Sequence, residues 1–289
     1  MDTEFARTFL TVIKTGSFVG AAAELHVTQS TVSSRIRALE TDLGCRLLVR
    51  NKAGATLTPA GRAFQQHATK LLQTLARARH DVGVPQAFKG MLSIGARIGL
   101  WDDLLTRWLG RMAARAPDVA VRAEIGFEND LMQQLVEGAL DIAVMYTPQS
   151  RPALVVERLL EERLVLVRRG PSPDGPSPED PPQRYVHVDW GPEFYARHQT
   201  HCPHLHPPAL VVGIGWLGLE HILRYGGMGY FPARLLSRHL VEGRLETVED
   251  APTFTLPAYM VYAEEHDQAI VAPALQAIRE IARCPSAPG

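Results

Sequence analysis

Two helix-forming runs separated by only two residues constrain this chain more than any other feature. Phe18–Leu25 and Thr28–Leu43 flank the break His26-Val27. Helices joined so tightly meet at a steep angle, and the alanines of the first (Ala21, Ala22, Ala23) permit the close approach that a helix-turn-helix requires. Ahead of them, Phe5, Phe9, Leu10, Val12 and Ile13 recur at helical spacing and Gly16 closes the segment. Ser17 and Thr28 stand where N-caps are needed, and Gly44 where a left-handed residue ends the third helix.

Along the third helix, Val32, Ile36, Leu39 and Leu43 form an apolar stripe, leaving Gln29, Ser30, Ser33, Ser34, Arg35 and Arg37 elsewhere. Such a helix fits the major groove of B-form DNA, where Gln pairs with adenine, Ser with several bases, and Arg with guanine or phosphate. Gln29, Ser30 and Ser33 are expected to read bases, with Thr28, Thr31 and Ser34 beside them. Arg35 and Arg37 suit either bases or phosphates. Two short strands, Arg46–Arg50 and Ala55–Thr58, around the turn 51–54 predict a wing that brings Arg50 and Lys52 to the backbone. Charge agrees: residues 1–89 hold 12 Lys and Arg against 6 Asp and Glu, leaving 18 against 25 for the remainder. A basic head on an acidic body suits a polyanion-binding head.

The run from Phe9 through AAAELHVTQSTVSSRIRALETDLGCRLLVR and LTPAG closely resembles the N-terminal domain of LysR-type transcriptional regulators in motif order and spacing. One departure is Ala53, at a wing position where many members carry Arg. Segments SIGA, LW, WLGR and WGPEF further resemble a subgroup of that family associated with flagellar and nitrogen-assimilation genes. The resemblance implies a transcription regulator, not an enzyme. Its partners would be double-stranded promoter DNA, a small-molecule effector and a second copy of the chain, with RNA polymerase a further candidate; no cofactor is implied.

From Thr58 and Pro59 onward, Phe64, Ala68, Leu71, Leu75, Ala78 and Val82 recur at alternating steps of four and three. That spacing predicts a seam for dimerisation, with pairing of dimers into tetramers as a further expectation. Gly83, Pro85 and Gly90 mark a hinge.

The remainder alternates strand and helix. Met91–Ala96, a helix through Trp108 and Met112, Val119–Phe127, a helix through Leu135 and Asp141–Tyr146 give β-α-β-α-β, a parallel arrangement that binds ligands beyond its strand ends. A second lobe is expected from Leu164–Val167 through Tyr185–Val188, Leu210–Gly213 and Gly229–Phe231, with Thr255–Ala263 crossing back. The fold expected is α/β: an N-terminal winged helix-turn-helix (1–58), a linker helix and hinge (59–89), and a two-lobed periplasmic-binding-protein-like effector domain (90–289). Its first lobe comprises 90–162 and 264–289, its second 163–263. The family resemblance implies a cleft lined by Ala96, Arg97, Ile98, Gly99, Met145, Tyr146, Thr147, Trp190, Gly191 and Ile214. Arg97 is read either as a bidentate partner for an anionic effector or as a solvent-facing residue. Trp190 is read as cleft wall or core, Trp101 as core.

Residues 198–206 contain four His and Cys202 among proline-flanked positions. They are read as a surface loop, with metal or redox sensing as the alternative. GxSxG, HExxH and P-loop patterns are absent. No apolar run spans a bilayer and the N-terminus lacks signal-peptide character, so a cytoplasmic location is expected over the rival reading, a solute-binding receptor.

Overall fold

The computed structural model describes residues 2–51, 54–83, 88–171 and 184–283. Its head opens with α1 (Thr3–Thr15), where the Asp2 carboxylate accepts the Glu4 N–H at 3.0 Å and Gly16 ends the helix at φ 66°. Ser17 Oγ accepts the Gly20 N–H at 2.9 Å and starts α2 (Phe18–Glu24); Thr28 Oγ1 accepts the Thr31 N–H at 3.2 Å and starts α3 (Gln29–Leu43). Each cap satisfies an amide that the helix leaves unpaired. Phe9, Val12, Ala21, Val32, Ile36 and Leu39 are buried together between the three helices.

The wing is the antiparallel pair β1 (Leu48–Asn51) and β2 (Gly54–Leu57), with Leu48 opposite Leu57. Gly54 has φ 130°, and a side chain there would meet the Gly16 carbonyl at 2.3 Å; the adjoining Ala55 N–H donates to that oxygen at 2.8 Å. Glycine thus lets the wing seat directly on the end of α1. From α3, one Glu40 carboxylate oxygen accepts both the Leu47 and Leu48 N–H groups, at 2.7 and 3.1 Å.

Thr58 caps α4 (Pro59–Gly83), its Oγ1 accepting the Gly61 N–H at 2.9 Å. The expected seam divides along this helix. Phe64 and Ala68 are buried in the head's own core, where Phe64 meets the Phe9 ring edge-on at 5.2 Å, and Leu71 packs partly against the same cluster. Those positions are intramolecular core because α1 lies along the first half of α4. Leu75 is half-buried and Ala78 exposed; the side chain of Val82 lies outside the described residues.

The body begins with β3 (Gly90–Ala96), followed by a single turn α5 (Ile98–Leu100), an irregular turn at Trp101–Leu105 and α6 (Thr106–Arg115). The expected helix through Trp108 and Met112 is α6, and the irregular turn ahead of it holds Asp103 at φ 60°. Then come β4 (Val119–Ile125), α7 (Glu128–Glu137) and β5 (Ile142–Met145), with β4 and β5 parallel to β3 on either side. β6 (Leu154–Arg169) is one continuous strand of 16 residues and begins ten residues earlier than expected. Glu157, Arg158, Glu161, Glu162 and Arg163 interrupt its alternation and hide it from a periodicity reading.

The second lobe contains β7 (Val186–Val188), α8 (Pro192–His201), β8 (Leu210–Val212), α9 (Gly215–Tyr225), β9 (Met228–Pro232), α10 (Ala233–Val241) and β10 (Leu245–Thr247). The chain returns on β11 (Phe254–Ala263), antiparallel to β6 over nearly its whole length, and ends in α11 (Val271–Arg283). The large sheet runs β10-β6-β11-β5-β3-β4 with β9 also on β6, while β7 and β8 form a separate parallel pair. β6 and β11 are thus the paired crossovers that join the lobes. Trp108, fully buried under α11, donates its indole N–H to the Ala274 carbonyl at 3.2 Å.

Candidate nucleic-acid face and interlobe cleft

On α3 the capping interaction fixes which side chains face outward. Thr28, Gln29, Ser30, Ser34 and Arg37 are exposed and Thr31 is half-buried. The Thr28 hydroxyl lies 2.7 Å from that of Ser30 and 2.8 Å from that of Thr31, so these three hydroxyls form one small network at the helix start. Three expectations are corrected. Ser33 is 7% exposed and faces the head core, because the buried face of α3 is wider than the apolar residues alone imply. Arg35 points back to α1, its Nη1 donating to Glu4 Oε2 at 3.2 Å and Thr8 Oγ1 at 3.3 Å. It braces the head. Leu43, assigned to the apolar stripe, is 38% exposed. Arg50 is on β1, with its side chain outside the described residues, as is Lys52 entirely.

In the body, a cleft of about 380 Å³ opens between the lobes. Arg97, Tyr146, Thr147, Trp190 and Gly191 line it, as the resemblance implied, and so do Phe127, Glu128, Asn129, Gln149, Asp189, Pro192 and Gly213. The latter were missed, although all follow the carboxyl ends of strands or start the next helix. Ala96 and Met145 do not line it: both are fully buried, Met145 against Leu131 and Met132. Strand alternation sends them into the core. Ile98 also lies outside the lining, Gly99 sits beneath Tyr146, and Ile214 starts α9 while its neighbour Gly213 faces the cleft.

Arg97 spans the cleft. Its Nε lies 3.4 Å from Glu128 Oε1, its Nη2 donates to the Gly213 carbonyl of the second lobe at 3.0 Å, and its guanidinium stacks 4.6 Å from the Phe127 ring centre. The solvent-facing alternative is thereby excluded. Tyr146 is 5% exposed and meets Trp190 edge-on at 5.9 Å. Its hydroxyl is buried without a hydrogen-bond partner among the described residues. Burial pushes the phenol far above its ordinary range and the nearby Glu162 carboxylate adds to this, so it stays a neutral donor. The Trp190 indole donates to the Tyr230 carbonyl at 2.9 Å, which fixes it as both cleft wall and core. Trp101 packs against the core and donates to the Glu124 carbonyl at 2.9 Å. Gly191 has φ 106° and receives the Asp189 carboxylate on its N–H at 3.0 Å.

A second tie lies deeper. Arg234 of α10 donates to Glu162 Oε1 on β6 at 2.7 Å and to the Gly99 carbonyl of the first lobe at 2.7 Å, and also reaches the Asp102 carbonyl. Both partners of this ion pair are nearly buried, at 12% and 5% exposure. No sequence signal marked it, since the partners are 72 residues apart.

The histidine-rich segment is not a surface loop throughout. His198, on α8, is fully buried, with its Nδ1 3.0 Å from His206 Nε2 and its ring stacked 4.9 Å from Tyr185. Burial, followed by His206 and its neighbours, lowers the His198 pKa to about 4. Cys202 is 1% exposed, its Sγ 3.5 Å from the Tyr230 hydroxyl. Among the described residues no group of three or more His, Cys, Asp or Glu is placed to hold a metal ion. Nor is any described helix long and apolar enough to cross a membrane.

A three-helix head with a wing, a long helix and a two-lobed body with paired crossovers define a one-component regulator of the LysR type, and family models agree. The chain belongs to the LysR family: residues 4–62 match the bacterial regulatory helix-turn-helix proteins of that family and residues 85–283 the LysR substrate binding domain. It is therefore a LysR-type DNA-binding transcriptional regulator with an effector-binding domain. Among individual proteins it is similar to the HTH-type transcriptional regulator HdfR of Yersinia pestis (strain Pestoides F), 30% identical over 93% of this chain and 92% of that protein. HdfR of Yersinia pseudotuberculosis serotype O:1b matches equally. Similar solved structures include Vibrio fischeri DarR in complex with DNA (TM-score 0.59, 17% identity, covering 97% of this chain and 99% of that one). Another is ArgP from Mycobacterium tuberculosis (TM-score 0.57, 21% identity, covering 98% and 97%). These structures share the fold.

Proposed function

We propose that the exposed side of α3 reads operator sequence, with Gln29, Ser30 and Ser34 at base edges and Thr28 and Thr31 ordering the helix start. Arg37, Arg50 and Lys52 contact phosphates. The observation that carries this is the division of α3 into a core-facing side that includes Ser33 and an exposed polar side ending in Arg37. The interlobe cleft takes the small-molecule effector, and lobe closure across Arg97 and Arg234 transmits its presence. The proposed functional units remain 1–58 for the head, 59–89 for the linker and 90–289 for the effector domain. Dimerisation uses the distal half of α4, from Leu75 through Ala78 to Val82, pairing of dimers gives a tetramer, and contact with RNA polymerase follows DNA binding.

Titration of full-length protein against its operator and against randomised competitor tests the first part. Gln29→Ala lowers the preference for the operator by roughly 1–3 kcal/mol of discrimination at the base it reads, the worth of a bidentate pair, and Ser34→Ala, which removes a single hydrogen bond, by about 1 kcal/mol. Arg37→Ala weakens binding to every sequence and reduces the slope of log affinity against log salt by about one. Unchanged preference in both α3 variants rejects the assignment.

A further inference from the structure

The cleft's own charges point to the kind of ligand it takes. Its lining contains one cation, Arg97, and two carboxylates, Glu128 and Asp189. Arg97 is already engaged on every side by groups that recognise a cation: a carboxylate, a carbonyl oxygen and an aromatic face. An anion would have to draw Arg97 away from Glu128 and then lie beside two negative side chains. Asp189 gives one oxygen to the Gly191 N–H and remains exposed on the cleft wall. Tyr146 and Trp190 add two aromatic rings to the same lining.

We propose that the ligand of this cleft carries a compact cationic head, an ammonium or guanidinium group, on a body small enough for about 380 Å³. Asp189 receives the head, Glu128 shares it with Arg97, and Tyr146 and Trp190 bound the rest. The inference rests on the cleft being the effector site, as argued above, and adds the chemical class. Arg97 then acts as a resident guanidinium that holds the lobes through Gly213 until a ligand cation competes for Glu128.

Calorimetric titration of the full-length protein at matched ionic strength with agmatine, butylamine, butyrate and succinate tests it. The two cationic probes bind and the two carboxylates do not. Asp189→Asn, which keeps the oxygen that accepts the Gly191 N–H, weakens cation binding about tenfold or more, the loss of a charge-assisted bond. Thr147→Trp, a large side chain introduced at an exposed position of the lining, abolishes it. Carboxylate binding that Thr147→Trp removes overturns the cationic class while leaving the cleft as the effector site. Cation binding that survives Thr147→Trp places the probes elsewhere and overturns the cleft reading for them, and failure of both cationic probes to bind overturns the proposal.

Discussion

Arg35 and Ser33 both stand among the hydrophilic residues of α3, yet each serves the inside of the head. The Arg35 partners lie on α1, 27 and 31 residues away. Arg35→Ala consequently costs the head up to about 1 kcal/mol, as expected for a partly exposed pair, and leaves sequence preference unchanged; thermal unfolding and competition binding check the two halves. Glu40 bears more: removing the acceptor of two wing amides in Glu40→Ala costs roughly 1–3 kcal/mol, read as a lower unfolding midpoint. At His198, folding favours the neutral ring. Stability is therefore complete above pH 6.5 and falls as pH drops from there toward about 4, by at most roughly 1.4 kcal/mol per unit. Unfolding titrations between those limits show this slope in the wild type and lose it in His198→Phe. Caps were legible in sequence because Ser17, Thr28 and Gly44 announce themselves by residue type and position. Pairings such as Arg35 with Glu4 or Arg234 with Glu162 were not, since they depend on how distant segments come together.

Among the elements, α4 departs most from its sequence reading. Its apolar repeat is real, but a repeat does not say whether the facing surface belongs to the same chain. The first half is covered by α1, so Phe64→Ala destabilises the head by about 3–5 kcal/mol, measurable by denaturant unfolding. Leu75→Asp, beyond that cover, disperses the dimer proposed here; a sedimentation profile like the wild type's would reject the distal seam. The crossovers show the opposite failure of periodicity. Thr255–Ala263 reads as a strand from the sequence, whereas charged β6 does so only from Leu164 onward, because a strand paired on an exposed ribbon need not alternate. Cleft residues followed the same logic. Positions at strand ends were identified, but neighbours such as Phe127, Glu128 and Asp189 needed the geometry of the adjoining helix starts.

At the scale of the whole molecule, the two lobes are fastened at two depths, by Arg97 near the cleft mouth and by Arg234 beneath it. Arg234→Ala leaves the Glu162 carboxylate buried without its cation, costing roughly 3–5 kcal/mol, and it also frees the Gly99 segment; Glu162→Gln in the same background recovers part of the loss in thermal unfolding. The head contacts the body through Lys70 with Glu265 at 2.6 Å and Arg7 with Glu137 at 3.4 Å. The function proposed here turns on one event, the entry of α3 into duplex DNA. Methylation protection of the operator reports it directly, because guanine N7 lies in the major groove and adenine N3 in the minor. Bound protein is predicted to shield guanine N7 in the base pairs that flank the positions where Gln29→Ala and Ser34→Ala change preference. Protection confined to adenine N3, with guanine N7 fully reactive across the site, would contradict the account.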